Sequence, residues 1–218
     1  MKVAVFGATG RTGRPLVEQA VGQGHDVVAF VREPAGLPSS LRAHEQVSVV
    51  EGDVYTGDGV EDAIAGDDDP VDAVVSVLGQ TSDGPDDLLT AAGEHVLAAM
   101  DRHGVERFVT LVGAGVREEG ESVSLGGKVM GGLLKLLARE VLEDARNHVE
   151  AVRASDTSWT VVRATRLTDG AHTGEFRHGT DLKLGMSATA ARANVAEFVL
   201  DCLADDLYVH EMPKVADR

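Results

Sequence analysis

The chain has 218 residues, 36 acidic against 20 basic, and a formal charge of −16. With 43% hydrophobic residues it can bury the core of one domain, or of one domain with a small appendage. The charge argues against a nucleic-acid partner, because phosphate backbones reward clustered Lys and Arg. No apolar run approaches the roughly 20 residues that span a bilayer, so no membrane partner is expected, and the single cysteine, Cys202, excludes an internal disulfide.

The basic residues are 15 Arg and only 5 Lys. Such an acid-rich, lysine-poor surface suits high intracellular salt or, alternatively, an acidic face for a protein partner. The N-terminus runs straight into the first predicted strand with no secretory leader. A cytoplasmic protein is expected.

Val3 to Val5 reads as a short buried strand, glycines follow at positions 7, 10 and 13, and a helical pattern runs from about Arg14 to Gly22. Pro15 is acceptable in the first turn of that helix. A strand that breaks into a helix leaves the first helical N–H groups unpaired, and with the partial positive charge of the helix end they favour a phosphate. Gly7 permits the tight turn, Gly10 lets a pyrophosphate approach the backbone, and Gly13 lets helix and strand pack closely. Residues 1–17 contain no acidic side chain but hold Lys2, Arg11 and Arg14, the local exception that an anion site needs. Three glycines in seven residues also fit an ordinary structural turn.

Val27 to Val31 is too short for a helix and rich in β-branched residues, so it reads as a second parallel strand. At its end, where an acidic residue would accept a hydrogen bond from the ribose 2′-hydroxyl, stand Arg32 and Glu33. A guanidinium there suits a 2′-phosphate through paired, charge-assisted hydrogen bonds, which favours NADP(H) over NAD(H). The competing reading is a solvated Arg paired to Glu33. Residues 33–46 form a loop or irregular helix, and Val47 to Glu51 a third strand ending in Gly52-Asp53-Val54. Asp53 suits either the adenine amine or a turn.

A short helix over Glu61 to Ile64 and the acidic turn from Gly66 to Pro70 lead to a fourth strand, Val71 to Gly79. The next helix shows apolar positions 88, 89, 92, 96, 97 and 100 at a 3.6-residue period. Glu106 to Gly113 is the fifth strand. Ala114 to Lys128 has the glycine-rich, charged character of a mobile loop over a pocket, and a helix fits residues 130–153. Trp159 to Arg163 is the sixth strand. Residues 168–186 are turn-rich and polar, a small substrate-side lobe within about 164–190. The last helix carries Val195, Phe198, Val199, Cys202 and Leu203 on one face, and a short strand near Val209 closes the sheet. Strands alternating with helices predict an α/β fold with a doubly wound, mostly parallel, Rossmann-like sheet over residues 1–218. Cys202 reads as a small core residue. His95, His103, His172 and His178 read as surface, capping or loop residues without a metal-ligand constellation.

With these elements placed, the chain resembles the atypical short-chain dehydrogenase/reductases, and within them the NmrA-like and flavin (biliverdin) reductase-like NAD(P)H-binding group. The residues that carry the resemblance include Val5 to Gly13, Phe30-Val31-Arg32, Gly52-Asp53-Val54, Val77-Leu78-Gly79, His103 to Val109, Ser155 to Trp159 and Leu167 to Gly170. It implies cofactor binding by Gly7, Thr9, Gly10, Arg11, Thr12 and Gly13, with Gly10 to Gly13 holding the pyrophosphate, Arg32 the 2′-phosphate, Asp53 and Val54 the adenine, and Leu78 and Gly79 the nicotinamide side.

Departures from the family are equally specific. The main short-chain family pairs a Tyr with a Lys four residues later, and that cation keeps the phenol acidic enough to donate a proton. Here Tyr55 and Tyr208 are followed at that distance by Gly59 and Met212. The Ser and His that flavin reductase-like members carry after the fifth and sixth strands are replaced by Gly113 and Arg166. Thr110 is left as a candidate for the nicotinamide or an acceptor, or else as a strand Thr. Arg166 is a candidate for an anionic substrate, or else a surface residue. A flavin or quinone takes its proton from solvent, so the expected activity is hydride transfer from NADPH to such a small-molecule acceptor. The alternatives are an NmrA-like NADP sensor with a regulatory protein partner, and epimerase or dehydratase chemistry on a nucleotide sugar. A homodimer is compatible with either.

Overall fold

A computed structural model describes residues 1–66, 69–80, 84–117, 139–185 and 187–218. Strand β1 (Lys2–Phe6) is buried on both faces, as a central parallel strand must be. It pairs with β2 (Asp26–Val31) on one side and β4 (Ala73–Ser76) on the other, both parallel. Outside β2 lies β3 (Val47–Glu51). Outside β4 lie β5 (Arg107–Gly113) and β6 (Ser158–Ala164). The order β3-β2-β1-β4-β5-β6 reverses direction between β1 and β4, and a crevice opens above the carboxyl ends of the strands at such a reversal.

Helices cover both faces of the sheet. On one face α1 (Gly13–Gly22) and α6 (Arg192–Ala204) pack on Val3, Val5, Val109 and Val162. On the other, α3 (Val60–Ala65), α4 (Leu88–His103) and α5 (Arg139–Ala154) cover Ala4, Phe6, Phe108 and Val161. The alternation of side chains along each strand supplies both apolar layers. The segment between β2 and β3 forms a 3-10 turn at Pro34–Gly36 and a single helical turn, α2 (Ser39–Arg42).

Two expected boundaries move. No strand forms near Val209, because Asp206, Tyr208 and His210 all have positive φ, at 50°, 57° and 60°, and a strand needs extended backbone. The strand that extends the sheet is β10 (Lys214–Asp217), parallel to β6, and β8 (Phe176–Gly179) adds to it antiparallel as the edge strand. Polar residues 168–186 thus contribute a strand to the main sheet, and β7 (Arg166–Thr168) pairs with β9 (Thr189–Ala191) beside it. The fourth strand is shorter than Val71 to Gly79. Val77 still donates to the Phe6 carbonyl at 3.0 Å, but the ladder stops where Gly7 turns the neighbouring strand away. Of the loop expected over 114–128 and the helix expected over 130–153, residues 118–138 lie outside the described residues, as do Asp67 and Asp68 of the acidic turn.

Candidate functional site

The turn between β1 and α1 has the geometry its glycines allow. Gly7 sits at φ +90°, and a Cβ there would meet the Val77 backbone at 3.0 Å. A Cβ on Gly13 would meet the Gly7 carbonyl oxygen at 2.0 Å, an overlap no side chain survives. Helix α1 therefore begins directly against the end of β1. Its N-cap, Thr12, makes no side-chain capping bond, and the first turn has no acidic residue. The N–H groups of Arg11, Thr12 and Gly13 find no backbone acceptor among the described residues. Bare amides at a helix start attract an anion.

A cleft of about 230 Å³ opens beside this turn, lined by Gly7, Thr9, Gly10, Arg32, Asp53, Val54, Leu78 and Gly79, together with Phe30, Tyr55 and Leu88. Its walls come from the carboxyl ends of β1, β2, β3 and β4 and the start of α4. That volume is below the roughly 300–1,000 Å³ of small-molecule sites, so the described residues enclose only part of a dinucleotide. Arg11, Thr12 and Gly13 are not among the lining residues.

The side chains around the cleft differ in how far they are committed. Arg32 is exposed and, among the described residues, has no hydrogen-bond or ion-pair partner, Glu33 included. Asp53 Oδ1 accepts the Tyr55 N–H at 2.9 Å, a local turn that leaves its other oxygen available. Arg14 donates to the Gly36 carbonyl at 3.0 Å and ties the loop after β2 to α1. Arg11 reaches Asp169 at 3.4 Å, and Asp169 also pairs with Arg192 at 2.6 Å, so the glycine turn is joined to the segment after β7.

Thr110 and Arg166 do not line the cleft. Thr110 is buried in β5, with its hydroxyl 2.9 Å from His148 Nε2. Burial holds the His148 imidazole neutral, lowering its pKa to about 4. Its Nδ1 faces Gly93 and the Leu89 backbone without closing a hydrogen bond. Arg166 is exposed on β7. Of the two tyrosines, Tyr55 lies in the cleft, while Tyr208 bonds His178 at 2.8 Å at the far edge of the sheet.

A family model described as NAD(P)H-binding matches residues 7–206, from the glycine turn to the end of α6. The chain belongs to this NAD(P)H-binding family. It is 27% identical over 187 residues to the uncharacterized protein YwnB of Bacillus subtilis, covering 83% of this chain and 80% of that one. The fold is that of a putative NAD-dependent epimerase/dehydratase from Bacillus halodurans, with a TM-score of 0.80 at 20% identity over 100% of this chain and 94% of the other. It is equally close to a short-chain dehydrogenase/reductase from Veillonella parvula solved with NADP, at TM-score 0.80 and 16% identity over 99% and 94% of the two chains. An NAD(P)H-binding protein needs the amides, the close-packed turn and the strand-end crevice together, and this chain has all three.

Sequence reasoning overlooked Asp144. It is 4% exposed on α5, and its oxygens accept the Leu89 N–H at 2.9 Å, the Thr90 N–H at 2.8 Å, the Thr90 hydroxyl at 2.7 Å and the Gln80 amide at 2.7 Å. It thereby fixes both ends of the β4–α4 connection, whose residues Gly79 and Leu88 line the cleft. An Asp in the middle of an otherwise amphipathic helix was the available signal.

Proposed function

We propose that the protein is an NADP(H)-dependent oxidoreductase of the atypical short-chain type, reducing a flavin, quinone or similar small redox acceptor by hydride transfer. The observation that carries the reading is the uncommitted Arg32 guanidinium at the mouth of a cleft whose turn presents bare amides. The amides of residues 11–13 suit the diphosphate, Arg32 suits the 2′-phosphate, Asp53 and Val54 suit the adenine, and Leu78 and Gly79 suit the nicotinamide side. A reduced nicotinamide bound there supplies the hydride. The residues supply position, since an acceptor that protonates from solvent asks for no acidic side chain. The absence of a Tyr–Lys pair and the burial of Thr110 both fit such an acceptor better than a plain ketone. Arg166, exposed at the start of β7, is a candidate contact for an anionic acceptor, and the segment 164–190 a candidate substrate side. The protein is proposed to be cytoplasmic; no described helix is long and apolar enough to cross a membrane.

The test is NADPH oxidation with flavin and quinone acceptors, run beside Arg32→Ala. Turnover is expected, and the substitution should raise the KM for NADPH far more than for NADH. Equal effects on the two cofactors would overturn the 2′-phosphate assignment. A second reading, a non-catalytic NADP sensor acting on a protein partner, is favoured by the locking of Thr110 onto His148. It predicts tight cofactor binding with no turnover across the acceptor panel.

A further inference from the structure

Asp169 follows β7 and stands between two guanidinium groups. Arg192, the first residue of α6, donates to its Oδ1 at 2.6 Å, and Arg11, in the glycine turn, reaches its Oδ2 at 3.4 Å. The two contacts are unlike. The Arg192 side chain is 11% exposed, whereas those of Arg11 and Asp169 are 73% and 66% exposed. A short bond to a largely buried guanidinium persists, while a long one between two solvated groups is screened and worth little.

Asp169 is also held in place without Arg11. Gln19 of α1 donates to the Ala193 carbonyl at 2.9 Å, which fixes the start of α6 beside α1. The Asn194 side-chain oxygen accepts the Thr173 and Gly174 N–H groups at 2.9 and 3.2 Å, which fixes the segment beyond Asp169 to the same turn of α6. The carboxylate is therefore carried to the glycine turn by α6, and Arg11 meets it from a position 158 residues away in the chain. Arg11 is also one of the three residues whose N–H groups open α1 without a backbone acceptor among the described residues. A diphosphate on those amides draws the guanidinium of the same residue, because a charge-assisted bond to a phosphate oxygen is stronger than an exposed ion pair.

We propose that Asp169 is a resident competitor for the anion of this turn: in the empty protein its carboxylate occupies Arg11, and a bound diphosphate displaces it from Arg11 while leaving it on Arg192. The inference rests on the dinucleotide reading above and adds to it a residue outside the cleft lining that sets how tightly the turn holds its anion. The contact is autoinhibitory, and it lowers the apparent affinity by the fraction of molecules in which Arg11 is occupied.

Calorimetric titration of wild type, Asp169→Asn, Arg11→Ala and the double variant with NADPH and with inorganic pyrophosphate, at one salt concentration, tests it. Asparagine keeps an oxygen for Arg192 and gives up the charge, so the thermal midpoint should stay near that of wild type. Arg11→Ala should weaken both ligands by about 10-fold. Asp169→Asn should tighten both by about 3-fold when Arg11 is present and leave them unchanged when it is absent. An equal gain in both backgrounds would reduce Asp169 to a through-space charge and overturn the inference, as would no gain with Arg11 present; in either case the dinucleotide reading stands. If wild type takes up neither ligand, both fall.

Discussion

His148 shows how a titratable side chain is kept out of chemistry by its surroundings. Burial lowers its pKa from 6.5 to about 4, with Asp144 opposing in part. The unfolded chain therefore binds a proton at His148 below about pH 6.5 that the folded chain refuses until about pH 4. Stability is lost as pH falls through that window, by up to about 3 kcal/mol from this one group. His148→Leu should cost packing and the Thr110 bond at pH 7.5 but flatten the decline between pH 7 and 5, as read from denaturant midpoints. A decline as steep as that of wild type would contradict the assignment. Cys202 is silent for a related reason: burial raises its thiol to about 12, leaving no thiolate for nucleophilic chemistry.

Among the elements, the pairing of α4 with α5 shapes the cleft as much as the glycine turn does. The Asp144 carboxylate caps α4 from another helix, and Gly93 lets the two helices approach so closely that a Cβ there would meet His148 Nδ1. Asp144→Ala removes the acceptor of the Leu89 and Thr90 amides and should cost about 2 kcal/mol, seen in the denaturant midpoint. It should also weaken NADPH, because Gln80 and the Leu89–Thr90 start of α4 lose their common anchor. Unchanged cofactor affinity in a destabilised variant would confine Asp144 to a structural role. Little of this was legible in the sequence, since the partners of Asp144 lie 54 to 64 residues away and no local pattern marks them. The glycine turn was legible because its requirements are local: a positive φ at Gly7 and no room for a side chain at Gly13. The segment 205–210 misled for the opposite reason. Val209 reads as strand by composition, while three non-glycine residues around it adopt left-handed backbone.

At the scale of the whole molecule, the alternation of apolar strands and amphipathic helices was enough to predict a doubly wound sheet, and the order β3-β2-β1-β4-β5-β6 delivers it. What composition left open was how the carboxyl-edge loops converge, and with it the positions of Tyr55, Asp144 and Asp169. A net charge of −16 makes the molecule as a whole repel an anionic ligand. A dinucleotide can be held only where that field is locally reversed. Residues 1–17 carry Arg11 and Arg14 with no acidic side chain, and Arg32 lines the cleft beside the start of α1. The most direct test is calorimetric titration of the folded wild-type chain with NADPH at neutral pH. Saturable uptake of one molecule per chain is the predicted result, and no heat of binding at any concentration up to millimolar would contradict the account.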